Sequence, residues 1–121
     1  MRANSNLERV LASGKFAVTA EIGPPRSASA DLVRKRAEEM RGSADAFNLT
    51  DNQTAMSRMS SIACAVVLIQ QGLEPVVQMT CRDRNRIAMQ SDILGASALG
   101  VRNVLCLSGD HQVFGNMKEA K

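Results

Sequence analysis

Four polar residues recur at nearly equal intervals along this 121-residue chain: Glu21, Thr50, Thr80 and Asp110, separated by 29, 30 and 30 positions. Each stands at or near the end of a short apolar run. Carboxylates exchange protons and place charge, and hydroxyls both donate and accept hydrogen bonds. A set of such groups brought to one place could bind and protonate a small polar ligand. Two readings fit Glu21. It is a solvated strand end, or a partner for a nearby Arg. Alternatively it is a partly buried acid held under the stiff Pro24-Pro25 turn, suited to general acid work. The run Thr50-Asp51-Asn52-Gln53-Thr54 reads either as turn residues or as a ligand-facing loop. In Ser108-Gly109-Asp110-His111, Gly109 allows close backbone approach and Asp110 sets a charge beside it. His111, the sole histidine, reads as an exposed loop residue.

The elements that must position these residues follow from the same period. Gly14, Gly42, Gly72 and Gly100 each end a helix-like segment, at spacings of 28, 30 and 28. A strand-like run follows each glycine: Phe16–Ile22, Asp45–Leu49, Glu74–Met79 and Asn103–Leu107. Pro75 suits a strand's first residue. Helices are expected over Ser5–Ser13, Ser29–Arg41 and Ser57–Gln71, and after Asp83 up to Gly100. Asp83 is the expected cap of the last, with Ile87, Leu94 and Ala98 as its apolar stripe. The first helix could close one end of a sheet or barrel. Strand and helix alternating every 30 residues or so is the mark of successive βα units. Such units build parallel sheets, whose ligands sit at the carboxyl ends of the strands.

Composition narrows the classes. Only three aromatics are present, all Phe, so the core is aliphatic with seven Met as fillers. A net charge of +3 is too mild to argue for nucleic acid. Arg82, Arg84 and Arg86 read as a solvated helix start or as an anion site, with no aromatic nearby to stack a base. Cys64, Cys81 and Cys106 are odd in number and lack CxxC spacing, against disulfides and zinc. Cys64 and Cys106 read as core residues, and Cys81 stands at a strand end where it could line a site. No apolar run approaches the ~18 residues of a membrane span and nothing resembles a signal peptide, so a cytoplasmic location is expected.

At the strand ends the sequence resembles the methylenetetrahydrofolate reductase family. The matching residues are Thr19-Ala20-Glu21-Ile22-Gly23-Pro24-Pro25, Asn48-Leu49-Thr50-Asp51-Asn52, Gln78-Met79-Thr80-Cys81-Arg82-Asp83 and Leu107-Ser108-Gly109-Asp110. They occur in the family's order and spacing, and the resemblance runs from about Val10 to Lys121. It implies an α/β fold, the first four βα units of a TIM (β/α)8 barrel. Residues 1–121 would then be a partial barrel domain lacking its C-terminal half. The implied reaction reduces 5,10-methylenetetrahydrofolate to 5-methyltetrahydrofolate, with FAD as cofactor and reduced flavin delivering hydride after an acid opens the folate's five-membered ring.

By the same resemblance Glu21 matches the general acid, and Asp110 matches the aspartate near flavin and folate. Thr50, Gln78, Leu107, Ser108, Gly109 and Asp110 match cofactor contacts. Three departures stand out. Gln78 falls where many members have His, Ser108 where others carry Arg, and Ile22-Gly23 where aromatic residues often follow the acid. The implied partners are methylenetetrahydrofolate and NAD(P)H or a redox partner protein, without nucleic acid or membrane. The chain is expected to form a homo-oligomer or to need a complementary half. The competing expectation is a non-catalytic half-barrel, a subunit or remnant that binds a partner polypeptide.

Overall fold

The structure, a computed structural model, describes residues 2–120. Four strands form one sheet: β1 (Thr19–Ile22), β2 (Ala46–Leu49), β3 (Pro75–Thr80) and β4 (Asn103–Leu107). They are parallel and lie in sequential order. Helices α1 (Asn6–Ala12), α2 (Ala30–Met40), α3 (Ser61–Gln70) and α4 (Arg86–Ala98) alternate with them. This is the expected α/β alternation. The four glycines after the helices have φ of +75°, +80°, +76° and +99°, the left-handed turn in which a side chain is disfavoured.

The register sorts the sheet into two faces. Ile22 pairs with Leu49, Leu49 with Val77 and Val77 with Val104. One residue earlier, Glu21 pairs with Asn48, Asn48 with Val76 and Val76 with Asn103. Successive side chains alternate between faces, and level partners share one. Ile22, Phe47, Leu49 and Val77 therefore face one way. They share the buried core with Val33 and Ala37 of α2, Cys64, Ala65, Val67 and Leu68 of α3, and Ala96 of α4. The other face carries Glu21, Asn48, Gln78, Thr80, Leu105 and Leu107. The apolar face is built by helices, and the polar residues of the strands are left on the opposite one.

Helix α1 is only seven residues long, too short to persist on propensity alone. It is fastened from outside. The Ser5 hydroxyl accepts from Glu8 N–H, and the Glu74 carboxylate takes the N–H groups of Asn6 and Leu7 at 2.6 and 2.8 Å. Asn6 Nδ2 donates to Asp45 O at 3.0 Å. Glu74 and Asp45 immediately precede β3 and β2, so α1 closes the amino end of the sheet, as its place in the chain suggested.

Several boundaries differ from expectation, each for a local reason. β1 begins at Thr19 rather than Phe16. The Val18 N–H is taken by the Asp45 carboxylate, and Phe16 is 91% exposed. α3 begins at Ser61 rather than Ser57. The N–H groups of Ser57, Arg58 and Met59 donate to Asn116 Oδ1, Asn52 Oδ1 and Pro25 O, which holds them out of the helix. α4 is capped by Asn85, whose Oδ1 accepts from Ala88 N–H, because the Asp83 carboxylate is bound to Arg82. The α4 stripe is reversed as well. Ala96 is buried, whereas Ile87 and Leu94 are 79% and 72% exposed. At 3.6 residues per turn they lie roughly opposite Ala96. Cys106 is exposed on β4 rather than in the core. Cys64 is buried, and burial pushes its thiol up to about 11.

Candidate functional site

A cleft of about 130 Å3 opens at the carboxyl ends of β2, β3 and β4. Thr50, Asp51, Asn52, Gln53, Gln78, Thr80, Arg82, Leu107, Gly109 and Asp110 line it. Five of the sequence-expected site residues thus meet: Thr50, Gln78, Leu107, Gly109 and Asp110. They come from three different strand ends, which parallel pairing in sequential order brings side by side.

Each is positioned by something identifiable. Thr50 directly follows β2 and is 6% exposed, and its Oγ1 has no hydrogen-bond partner. Gln78 lies on the open face of β3, with its carbonyl held by the Ser61 hydroxyl at 2.9 Å. Gly109 adopts φ +85°, and a Cβ there would lie 3.1 Å from Thr80 Cγ2 and from Arg82 Nη1. The cleft floor is therefore backbone. The Asp110 carbonyl accepts from Arg82 Nη1 at 3.0 Å, while no bond to its carboxylate occurs among the described residues. That carboxylate is left exposed at the cleft wall. Ser108 is exposed beside the cleft without lining it, and its carbonyl lies 3.8 Å from Cys81 Sγ.

Glu21 shares the open face with Gln78 but sits lower on the sheet, level with Asn48 and Val76. It lines none of the described cavities and is exposed, so the expected partial burial of this acid is not met. His111 is absorbed locally, its Nδ1 accepting from Val113 N–H at 3.2 Å.

The residues that build the cleft are ones the sequence reading treated differently. Asp51, expected in a turn or a ligand-facing loop, is buried. One carboxylate oxygen accepts from Thr80 N–H at 2.8 Å, from Thr80 Oγ1 at 3.0 Å and from Arg84 Nη1 at 2.5 Å. Arg84 also reaches Asp92 at 3.0 Å and the Thr80 carbonyl at 3.0 Å. Its hydrogen bond to Asp51 leads the causes that raise its pKa above the ordinary arginine value. Arg82 bonds Asp83 at 2.6 Å, and this bond holds the Asp83 carboxyl below its usual range. Its remaining N–H groups reach the carbonyls of Asn52 and Asp110 at 3.2 and 3.0 Å. One guanidinium thereby ties together the loops after β2, β3 and β4. Two of the three arginines read as a basic cluster are thus neutralised by this chain's own carboxylates. The interleaved Asp51, Asp83 and Asp92 were the available signal.

No group of His, Cys, Asp and Glu suited to a metal ion occurs among the described residues. No helix among them is long and apolar enough to cross a membrane.

A search of curated proteins returned no match. A family model described as Methylenetetrahydrofolate reductase matches residues 6–121. The match spans all four strands and every residue of the cleft, and the parallel α/β arrangement is consistent with part of a (β/α)8 barrel. The chain belongs to the methylenetetrahydrofolate reductase family.

Proposed function

We propose that this chain carries flavin- and folate-facing residues of a cytoplasmic reductase that converts 5,10-methylenetetrahydrofolate to 5-methyltetrahydrofolate. The observation that carries the proposal is the buried, unpartnered Thr50 Oγ1 in a cleft that also holds Gly109 and Asp110. A buried hydroxyl without a partner is a defect in an empty site and an asset in a filled one. The residues present fit a flavin. Thr50 Oγ1 offers a hydrogen bond, the Gln78 amide offers both donors and an acceptor, and Leu107 supplies an apolar wall. Gly109 lets a flat ring approach the backbone where any side chain would intrude.

Bound FAD would supply the hydride. The chain's own residues would do the rest. Asp110 would place a negative charge beside the ring and beside cationic folate species. Glu21, on the same face of the sheet, would hold the proton that opens the folate ring. Its exposure here means that substrate, rather than the strand itself, would have to exclude water from it.

The test is a titration of the purified chain with FAD, followed by anaerobic mixing of the reduced protein with methylenetetrahydrofolate. Flavin binding is expected, with reoxidation by the folate once the chain is paired with a second copy or a complementary half. Flavin binding without reoxidation would leave only a flavin-binding module. Absence of flavin binding would sink the proposal.

A further inference from the structure

The loops after β1 and β2 enclose a separate cleft of about 360 Å3, lined by Arg26, Ser27, Ala28, Ser57, Arg58 and Met59. Its walls are fastened to one another. Met59 N–H donates to Pro25 O at 2.9 Å, and an Arg58 Nη donates to Pro24 O at 3.4 Å. Arg58 N–H donates to Asn52 Oδ1 at 2.9 Å. Arg58 Nε is buried and has no acceptor.

Among the described residues no ion pair engages Arg26 or Arg58, and no Asp or Glu lines this cleft. Arg34, Arg41, Arg82 and Arg84, by contrast, each have a carboxylate within 3.0 Å. A buried guanidinium N–H with nothing to donate to calls for an acceptor. The guanidinium fork suits planar, multidentate oxyanions, and two serine hydroxyls stand alongside.

We infer that this cleft is an oxyanion subsite, and that its occupant is a carboxylate of the glutamyl tail of the folate substrate. The inference rests on the folate reading above. The flavin-fitting cleft spans the ends of β2, β3 and β4, whereas Arg26 and Arg58 lie on the loops after β1 and β2. Glu21 is on β1. A folate whose ring reaches both the flavin and Glu21 therefore extends toward the β1 side, and its anionic end is the glutamyl tail.

The probes are p-aminobenzoylglutamate, which carries the tail without the pterin ring, and inorganic phosphate, both titrated calorimetrically. The wild-type chain binds p-aminobenzoylglutamate, more weakly as salt rises. Arg26→Gln and Arg58→Gln each weaken it about tenfold or more, the loss expected for one charge-assisted contact. Arg58→Lys, which keeps the charge and loses the fork, falls between. Arg26 is exposed, so its variant retains the wild-type melting temperature and keeps the test open if Arg58→Gln unfolds.

No binding by the wild type, equal binding by both Gln variants, or phosphate binding without p-aminobenzoylglutamate binding overturns the inference. A chain that binds the probe through these arginines yet does not reduce methylenetetrahydrofolate removes the reaction and keeps the subsite. A chain that reduces it with an unchanged KM in both Gln variants keeps the reaction and removes the subsite.

Discussion

Thr50 and Glu21 mark two ways in which a polar side chain signals chemistry. Thr50 is buried with its hydroxyl unsatisfied. Replacing it with the isosteric Val removes an orphaned donor without leaving a cavity. Thr50→Val should therefore leave thermal stability unchanged or raise it by up to about 1 kcal/mol. Its FAD affinity should fall about tenfold, read by fluorescence titration. A fall in stability with flavin affinity intact would mean that the hydroxyl serves the fold. Glu21 is exposed and makes no bond to another described side chain. If it is the acid, Glu21→Gln abolishes folate reduction, while flavin still binds and is still reduced by an artificial electron donor. Rapid-mixing measurements of the two half-reactions decide this, and equal loss of both assigns Glu21 a structural role. Both residues could be picked out in the sequence as polar groups ending apolar runs. Their opposite burial could not, because exposure depends on what neighbouring loops cover.

At the scale of elements, the loops after β2, β3 and β4 act as one unit because Asp51, Arg82 and Arg84 cross-link them. Asp51 is 1% exposed at its side chain and Arg84 is 11% exposed. Breaking a buried pair strands the surviving charge, which typically costs about 3–5 kcal/mol. Asp92 remains as a second acceptor for Arg84, so Asp51→Ala should cost about 3 kcal/mol, toward the lower end of that range. The measurement is the shift of the urea midpoint at constant slope. Flavin affinity should fall with it, since Thr80 and Arg84 also lose their anchor. A midpoint shift below about 1 kcal/mol would show that the pair is not a keystone of the loops. The segment after β4 adds a second constraint. A Cβ on Gly115 would lie 1.8 Å from the Ala55 carbonyl oxygen, so this packing requires glycine. The polar runs told only that loops exist at these points, since which carboxylate meets which guanidinium depends on the register of three strands.

At the scale of the whole molecule, burial is uneven along the sheet. β2 and β3 are covered, whereas Val104, Leu105 and Leu107 of β4 are 39–42% exposed. On the neighbouring helix α4, Ile87 and Leu94 also face solvent, as does Leu99 just after it. An apolar helix face beside an open strand edge favours association through both apolar contact and free backbone groups. Sedimentation should therefore show concentration-dependent self-association, and Leu94→Lys with Leu105→Lys should shift the chain toward monomer. A monomer at all concentrations, with those leucines equally exposed, would count against this surface as an interface. The reversed face of α4 belongs to the same picture: its larger apolar residues turn away from Ala96 and the core described here.

The sequence by itself determined the number, order and alternation of strands and helices, the glycine that ends each helix, and the polar residues at the strand ends. These depend on local chemistry repeated every 30 residues or so: apolar runs, capping hydroxyls and glycines tolerant of positive φ. Only the tertiary structure decided that Asp51 is a buried anchor, that Arg82 and Arg84 are already paired, that Asn85 rather than Asp83 caps α4, and that Thr50 is buried while Glu21 is exposed. The anchoring of Asp51 by Thr80 and Arg84, and the reach of Arg82 to Asn52 and Asp110, depend on contacts between residues about 30 positions apart, whose geometry is set when parallel strands fall into register. The short-range Arg82–Asp83 bond, which leaves the α4 cap to Asn85, forms where those contacts hold the guanidinium.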